Sequence, residues 1–354
     1  MQNSFINTKS IRTDGFILLC CKVLLMSVPD LKHAFTLSSE LLKARSYFDL
    51  TQRMIHMLLE LDGISDVKSY EILGDTPKRN DTVNKTTDLI IRRFPLTLDA
   101  DFTDENQDLI TEIATADVHG YQEIPGENAS DIAIYLTRNI DPKRLLILKG
   151  QPDASVREVI KGLAQVYGEL ICLLDAKERD PLTHLHNRQT LDLTLEQVLN
   201  FYRQKAEADP ASQSWIAFLD IDFFKKVNDQ FGHLYGDEVL IHFANLMKRS
   251  FRYTDFLFRY GGEEFLVIIN QTDEAGVNTA LERFRTLVED YKFPSNRMTV
   301  SVGYTRVDHN KPAYSLIETA DQAVYAAKTS GRNKVVFQPD VISQPSVTTD
   351  IELF

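Results

Sequence analysis

Arg259-Tyr260-Gly261-Gly262-Glu263-Glu264-Phe265 lies between two apolar runs, Phe256-Leu257-Phe258 before it and Leu266 to Ile269 after it. The runs read as two buried strands. The Gly-Gly pair reads as the turn of a hairpin, because glycine reaches positive φ without steric penalty. Standing alone, this is first of all an ordinary solvated hairpin. Two properties point further. Glycines leave no side chain between a ligand's phosphates and the backbone N–H groups, and two glutamates supply hard oxygen ligands for a divalent cation.

The whole chain limits the choices. At 354 residues it is long enough for two domains, each with its own core. Its 43% hydrophobic and 25% charged residues are those of a globular protein. The formal charge of −12 argues against a general binder of nucleic acid or of anionic membrane, both of which need a basic face. An anionic ligand therefore needs a local cluster of cations and metal. Cys20, Cys21 and Cys172 show neither a disulfide framework nor zinc-ligand spacing, which suggests a reducing, cytoplasmic compartment.

Phe16 to Val28 is mostly apolar but broken by Lys22, and too short for a spanning helix, which needs about 20 residues. With Lys9 and Arg12 ahead of it, the run resembles the core of a signal peptide, yet no small-residue cleavage site follows. We read residues 1–30 as an extension outside the fold, with translation starting at Met26. From Leu31 to Leu61 the apolar spacing is helical and Gly63 closes the run. Strand-like runs follow at Ser69–Leu73, Asp88–Phe94, Ile132–Leu136 and Leu145–Leu148, with a helical segment near Asp104–Ala116. This order describes an α+β domain over 31–153 and resembles a GAF-type sensor domain. His56 and His119 are isolated, so no cofactor attachment is indicated. Across 154–179, Val156, Ile160, Leu163, Tyr167, Leu170 and Leu174 form a seam on one helix face. The seam suits either packing on its own domain or a parallel dimer.

In the second half, Asp180-Pro181-Leu182-Thr183 reads as a turn and helix start. Trp215 to Leu219 is a buried strand delivering Asp220 at its exit, where open α/β sheets bind ligands. Asp220 and Glu263 together make a two-carboxylate platform suited to Mg²⁺. Gly232 to Asp237 reads as a polar turn before a helix near Glu238, and Lys328 and Arg332 are cations four residues apart at a helix C-terminus.

From about Asp175 to Phe337, the motifs DPLT, DIDFFKKVND, FGHLYGDE, RYGGEEF, SVGYT and YAAKTSGRN occur in order. Each is weak alone, but together they closely resemble the GGDEF family of diguanylate cyclases in its GGEEF form, over a domain placed at 180–338. The resemblance implies a cyclase/polymerase-palm-like central sheet with flanking helices, and the condensation of two GTP into cyclic di-GMP. It implies Mg²⁺ (or Mn²⁺) held by Asp220, Glu263 and the Ile221 carbonyl. Phe223, Phe224, Gly261 and Gly262 would meet the GTP through their backbone, and Lys225, Lys328 and Arg332 would meet its phosphates. Asn228 and Asp237 would read guanine, Asp237 being alternatively a helix N-cap. Glu263 or Glu264 would take the hydroxyl proton. Asp222 reads as structural.

The family also places a product-binding inhibitory site at the RxxD of Arg252 and Asp255, with Arg283 matching a further arginine. One GTP per domain implies a homodimer. His184-Leu185-His186 departs from the family's usual Gly-Leu, which bears on local turn geometry. The alternative is an inactive GGDEF module that binds GTP or cyclic di-GMP. Residues 339–354 form a short polar tail.

Overall fold

The computed structural model describes residues 28–73, 90–94, 104–125, 130–137, 140–204, 213–293 and 297–339. The extension read over 1–30 and the tail over 339–354 lie almost wholly outside them. The chain divides into two compact units, Met1–Ser69 with Asp117–Leu174, and Tyr70–Ala116 with Asp175–Phe354. No helix among the described residues is long and apolar enough to cross a membrane.

The first half contains helices α1 (Val28–Leu41) and α2 (Tyr47–Leu59), strands β1 (Ile64–Leu73) and β2 (Ile90–Phe94), helix α3 (Gln107–Ala116), strands β3 (Gly120–Pro125), β4 (Ser130–Leu136) and β5 (Lys143–Gly150), and helix α4 (Ala154–Glu178). Helix α2 starts at Ser46, whose side chain accepts the Asp49 N–H, and stops before Gly63 at φ 83°. The strands form one sheet in the order β2-β1-β5-β4-β3, with β4 antiparallel to both β3 and β5. Sequence pattern missed β3, because Gly120-Tyr-Gln-Glu-Ile-Pro is an edge strand with few apolar residues, and it started β1 five residues late across the polar alternation of Ile64 to Lys68.

The seam on α4 resolves in favour of packing on its own unit. Ile160, Leu163, Tyr167 and Leu174 are buried in one core with Leu50, Met54, Leu58, Ile134 and Leu146, while Val156 and Leu170 are partly buried against it. The Tyr167 hydroxyl lies 3.0 Å from Thr51 Oγ1.

The second half begins with strand β6 (His186–Asn187) and helix α5 (Arg188–Gln204), followed by strand β7 (Gln213–Ile221), helices α6 (Phe224–Phe231) and α7 (His233–Ser250), and strands β8 (Phe256–Arg259) and β9 (Glu264–Thr272). Helix α8 (Glu274–Asp290), strand β10 (Val300–Arg306), helix α9 (Ala313–Thr329) and strand β11 (Val335–Phe337) complete it. The six strands lie in the order β11-β10-β7-β9-β8-β6, with β7 antiparallel to β9 and β10 on its two sides.

Side chains alternate across a strand, so β7 feeds two cores. Trp215, Ala217, Leu219 and Ile221 meet Val239, Phe243 and Met247 of α7 and Leu281 and Phe284 of α8. Ile216 and Phe218 meet Leu191, Leu195 and Val198 of α5 and Leu316, Ala320 and Val324 of α9. Both faces are covered, which explains the unbroken apolar run. On β10, a Cβ added to Gly303 would stand 2.2 Å from the Val324 nitrogen and 2.4 Å from the Ala320 oxygen, so α9 lies directly on the strand backbone. The next residue of the α9-facing row after Phe218 is Asp220.

Three local readings are corrected. No helix starts at Asp180; its Oδ1 accepts the Thr183 N–H and hydroxyl, both at 2.8 Å, closing a turn, and α5 begins only at Arg188. Helix α7 begins at His233, five residues earlier than read, so Gly236 and Asp237 lie in its first turns and Gly232 is the N-cap. The N-cap alternative for Asp237 therefore fails. Finally, neither Gly261 nor Gly262 adopts positive φ. The β8–β9 link is a four-residue loop, Tyr260–Glu263, not a tight two-residue turn.

Candidate active site

The site is built where β7 and the β8–β9 hairpin end together. Asp220 pairs in register with Glu264, and the Ile221 N–H donates to the Glu263 carbonyl at 3.3 Å. Asp220 is 5% exposed, and the Lys328 ammonium at the end of α9 sits 2.6 Å from its Oδ2. Burial raises the pKa of Asp220, with Lys328 opposing and Asp222 and Asp321 adding to the rise. Burial and then the Asp220 charge also raise Glu263 and Glu264, with Lys328 opposing. Lys328 is thus the cation set against crowded carboxylates, a surplus of negative charge that fits a divalent ion. Among the described residues no three His, Cys, Asp or Glu side chains are arranged as a ready-made metal cage. That is consistent with a cation held by few carboxylates and completed by substrate oxygens.

Gly261 serves by its size. A Cβ there would lie 2.4 Å from Glu264 Oε2, so the glutamate folds back over the loop. The loop is held from behind. Arg259 donates from Nη2 to the Gly262 carbonyl at 3.0 Å, from Nε to the Gly261 carbonyl at 3.1 Å, and from Nη1 to both Asp180 oxygens. His184, at φ 56°, takes the conformation that suits the family's usual glycine, and the Asp180 N–H donates to the Leu185 carbonyl at 2.8 Å.

The chain leaves β7 through Phe223, in the left-handed conformation at φ 58°, and enters α6 without a side-chain cap. The first N–H groups of a helix have no intrahelical partner, so this end offers them to an anion. Phe223 is 51% exposed, Phe224 is buried, and Lys225 is exposed. The guanidinium of Arg332 stands over the Phe223 ring at 4.5 Å, and the Lys226 ammonium at 4.4 Å. Beyond α6, a Cβ on Gly236 would strike Asn228 Oδ1 at 2.0 Å, which puts the Asn228 amide against the turn carrying Asp237. Asn228 Oδ1 is buried and meets no hydrogen-bond donor among the described residues.

The RxxD pair is a closed turn. The Arg252 N–H donates to Asp255 Oδ2 at 2.8 Å, the Asp255 N–H to the Arg252 carbonyl at 2.9 Å, and the Asn270 N–H to Asp255 Oδ1 at 3.1 Å. The Arg252 side chain is exposed, whereas Asp255 is 8% exposed, and burial pushes its pKa up to about 6. Arg283 donates to the Ser250 carbonyl at 2.7 Å.

Sequence reading did not identify Asp321, whose charge acts on Asp220 and Glu264, or Arg188, whose guanidinium covers the Tyr260 ring at 4.3 Å. It also missed the pairing of Arg259 with Asp180.

The second half is thus an α+β fold, a central sheet with flanking helices, that carries carboxylates at the strand exits and cations on the adjoining helix end. The family model described as diguanylate cyclase, GGDEF domain, matches residues 177–334. That part of the chain, a little under half of it, is similar to a GGDEF domain. Diguanylate cyclase DgcP of Pseudomonas aeruginosa is 38% identical over 161 residues, 44% of this chain and 23% of that protein. Diguanylate cyclase A of Treponema denticola is 34% identical over 188 residues, 52% of this chain and 50% of that protein. Response regulator PleD of Caulobacter vibrioides is 40% identical over 171 residues, 46% of this chain and 36% of that protein. The chain spans half or less of the length of these relatives.

Proposed function

We propose that this protein is a diguanylate cyclase, joining two GTP into cyclic di-GMP and releasing two pyrophosphates. The observation that carries the reading is the meeting of Asp220, Glu263 and Glu264 with Lys328 at the paired ends of β7 and β9. In each of two steps, the 3′-oxygen of one GTP bonds to the α-phosphorus of the other. The α–β phosphoanhydride bond breaks, and pyrophosphate leaves with the electron pair. Glu263 or Glu264 accepts the hydroxyl proton, a role that suits carboxylates whose proton affinity is raised.

Asp220, Glu263 and the Ile221 carbonyl would hold Mg²⁺ (or Mn²⁺). When bound, the metal supplies positive charge to the phosphoryl oxygens. The open N–H groups at Phe223 and Phe224, with Lys225, Lys328 and Arg332, take the triphosphate, while Asn228 and Asp237 take the guanine edge. Positioning and charge stabilisation then supply most of the acceleration.

One GTP per domain makes the active enzyme a homodimer. Arg252, Asp255 and Arg283 form a product-binding inhibitory site. Residues 31–153 act as a GAF-like sensor, read from the helix pair, the mixed strand and helix order and the closing helix. Helix 154–179 passes the signal to the cyclase at 180–338, in a cytoplasmic protein. The test is incubation of the purified chain with GTP and Mg²⁺, with Glu263→Ala as control. A wild type that binds GTP yet makes no cyclic di-GMP as a dimer would point to an inactive binding module.

A further inference from the structure

We propose that Arg285, on α8 and outside the substrate site, is a positioning residue that sets the phosphate-clamping Arg332. The inference rests on the cyclase reading, in which Arg332 meets the triphosphate.

Arg332 and Asn333 both stand in the left-handed region, at φ 62° and 49°, conformations that L side chains seldom adopt without support. The Arg332 N–H caps α9 through the Ala327 carbonyl at 2.9 Å. Asn333 is fixed at both ends: its N–H donates to Asp222 Oδ2 at 3.1 Å, and its side-chain oxygen accepts from Arg285 Nη1 at 2.9 Å. Asp222 is a buried hub. Its two oxygens also accept from Thr299 Oγ1 and Ser301 Oγ, each at 2.7 Å, and Arg332 Nε lies 3.9 Å from Oδ1.

The Arg285 side chain is itself held rigidly. Nε donates to Glu282 and Nη1 to Glu289, both at 2.8 Å, so its planar fork is aimed before any ligand arrives. The turn that aims Arg332 is thereby tied on one side to the strand end through Asp222 and on the other to α8 through Arg285. A supporting shell of this kind decides whether a binding group is held tightly enough to act.

The test compares GTP with GMP, which shares the base and sugar but lacks the β- and γ-phosphates. Affinities are measured by calorimetry on the full chain for wild type, Arg285→Ala, Arg285→Lys, Asn333→Ala and the Arg285→Ala/Asn333→Ala double variant, with melting temperatures alongside. For Arg285→Ala, GTP affinity should fall about five- to tenfold, the net worth of about one ordinary hydrogen bond, while GMP affinity holds within twofold. Arg285→Lys should recover part of the loss, and the double variant should bind GTP no worse than Asn333→Ala, since the two act as one unit. Equal losses for GTP and GMP, no loss, or additive losses in the double variant would overturn the proposal. Failure of the wild type to bind GTP would overturn it by removing the cyclase reading itself, an outcome visible before any variant is compared.

Discussion

Nη1 of Arg259 donates to both carboxylate oxygens of Asp180, at 3.0 and 3.1 Å, while the rest of the same guanidinium holds the Gly261 and Gly262 carbonyls. A residue 79 positions away in sequence therefore sets the shape of the glycine loop. Both side chains are mostly shielded, at 15% and 17% exposure, so the pair is not a screened surface contact. Arg259→Ala should cost about 1–3 kcal/mol of stability and slow turnover by tenfold or more, as Asp180 is left without its cation. Burial by itself would raise the pKa of Asp180, but the Thr183 hydroxyl and N–H and Arg259 together lower it. Stability from such a group is present above the ordinary carboxylate range and is lost as pH falls through the folded value. The stability gap between wild type and Asp180→Asn should accordingly close below about pH 4, and chemical denaturation across that range would show it.

Two glycines separate fold from function. At Gly303 an added Cβ would strike the backbone of α9, which cannot yield, so Gly303→Ala should destabilise by about 1–3 kcal/mol or more. At Gly236 the obstacle at 2.0 Å is the end of the Asn228 side chain, which can rotate. Gly236→Ala should melt within a few degrees of wild type yet bind GTP more weakly and discriminate less against ATP. Unchanged nucleotide preference in a variant that binds would count against Asn228 as a base reader.

The gathering of the candidate residues was more legible in the sequence than the contacts that hold them. Asp220, Lys328, Glu263 and Glu264 stand in short local motifs, so their placement at one sheet end followed from two strands and a helix end. Partnerships such as Arg259 with Asp180 and Arg285 with Asn333 join distant segments, and no periodicity records them. The glycine loop misled for a physical reason: paired glycines suggest positive φ, whereas neither adopts it and Gly261 leaves room for Glu264. The start of α7 was hidden by Gly232 and Gly236, which look like turn residues though the second lies inside the helix. The seam on α4 gave the right face but not its partner, since one apolar stripe fits a sheet as well as a second helix.

Metal binding should depend on pH. Burial above all raises the pKa of Asp220 and Glu263, the two proposed carboxylate ligands, so in the metal-free protein they keep protons to higher pH than ordinary carboxylates. A cation must displace those protons, and affinity rises as they leave. Mn²⁺ titrations should show tighter binding at about pH 7.5 than at about pH 5. A flat profile would mean that these carboxylates are not the ligands.

Added cyclic di-GMP should lower turnover of the wild type and leave Arg252→Ala largely unaffected, because the exposed guanidinium supplies the fork that meets phosphate or guanine. The buried Asp255 should be visible separately. Its pKa is raised to about 6, so its charged form is the costly one, and its contribution to stability declines as pH rises from about 4 to about 6. Asp255→Asn should lack that decline. Undiminished product inhibition in Arg252→Ala would remove the assignment of the inhibitory site.

The central claim is that the site joins two GTP molecules, and the stoichiometry of a complete reaction tests it most directly. Phosphorus NMR of GTP, Mg²⁺ and the purified protein should show two GTP consumed and two pyrophosphates released for each cyclic di-GMP, with no signal growth in Glu263→Ala. Release of inorganic phosphate and GDP, or GTP that binds and persists unchanged, would contradict the account.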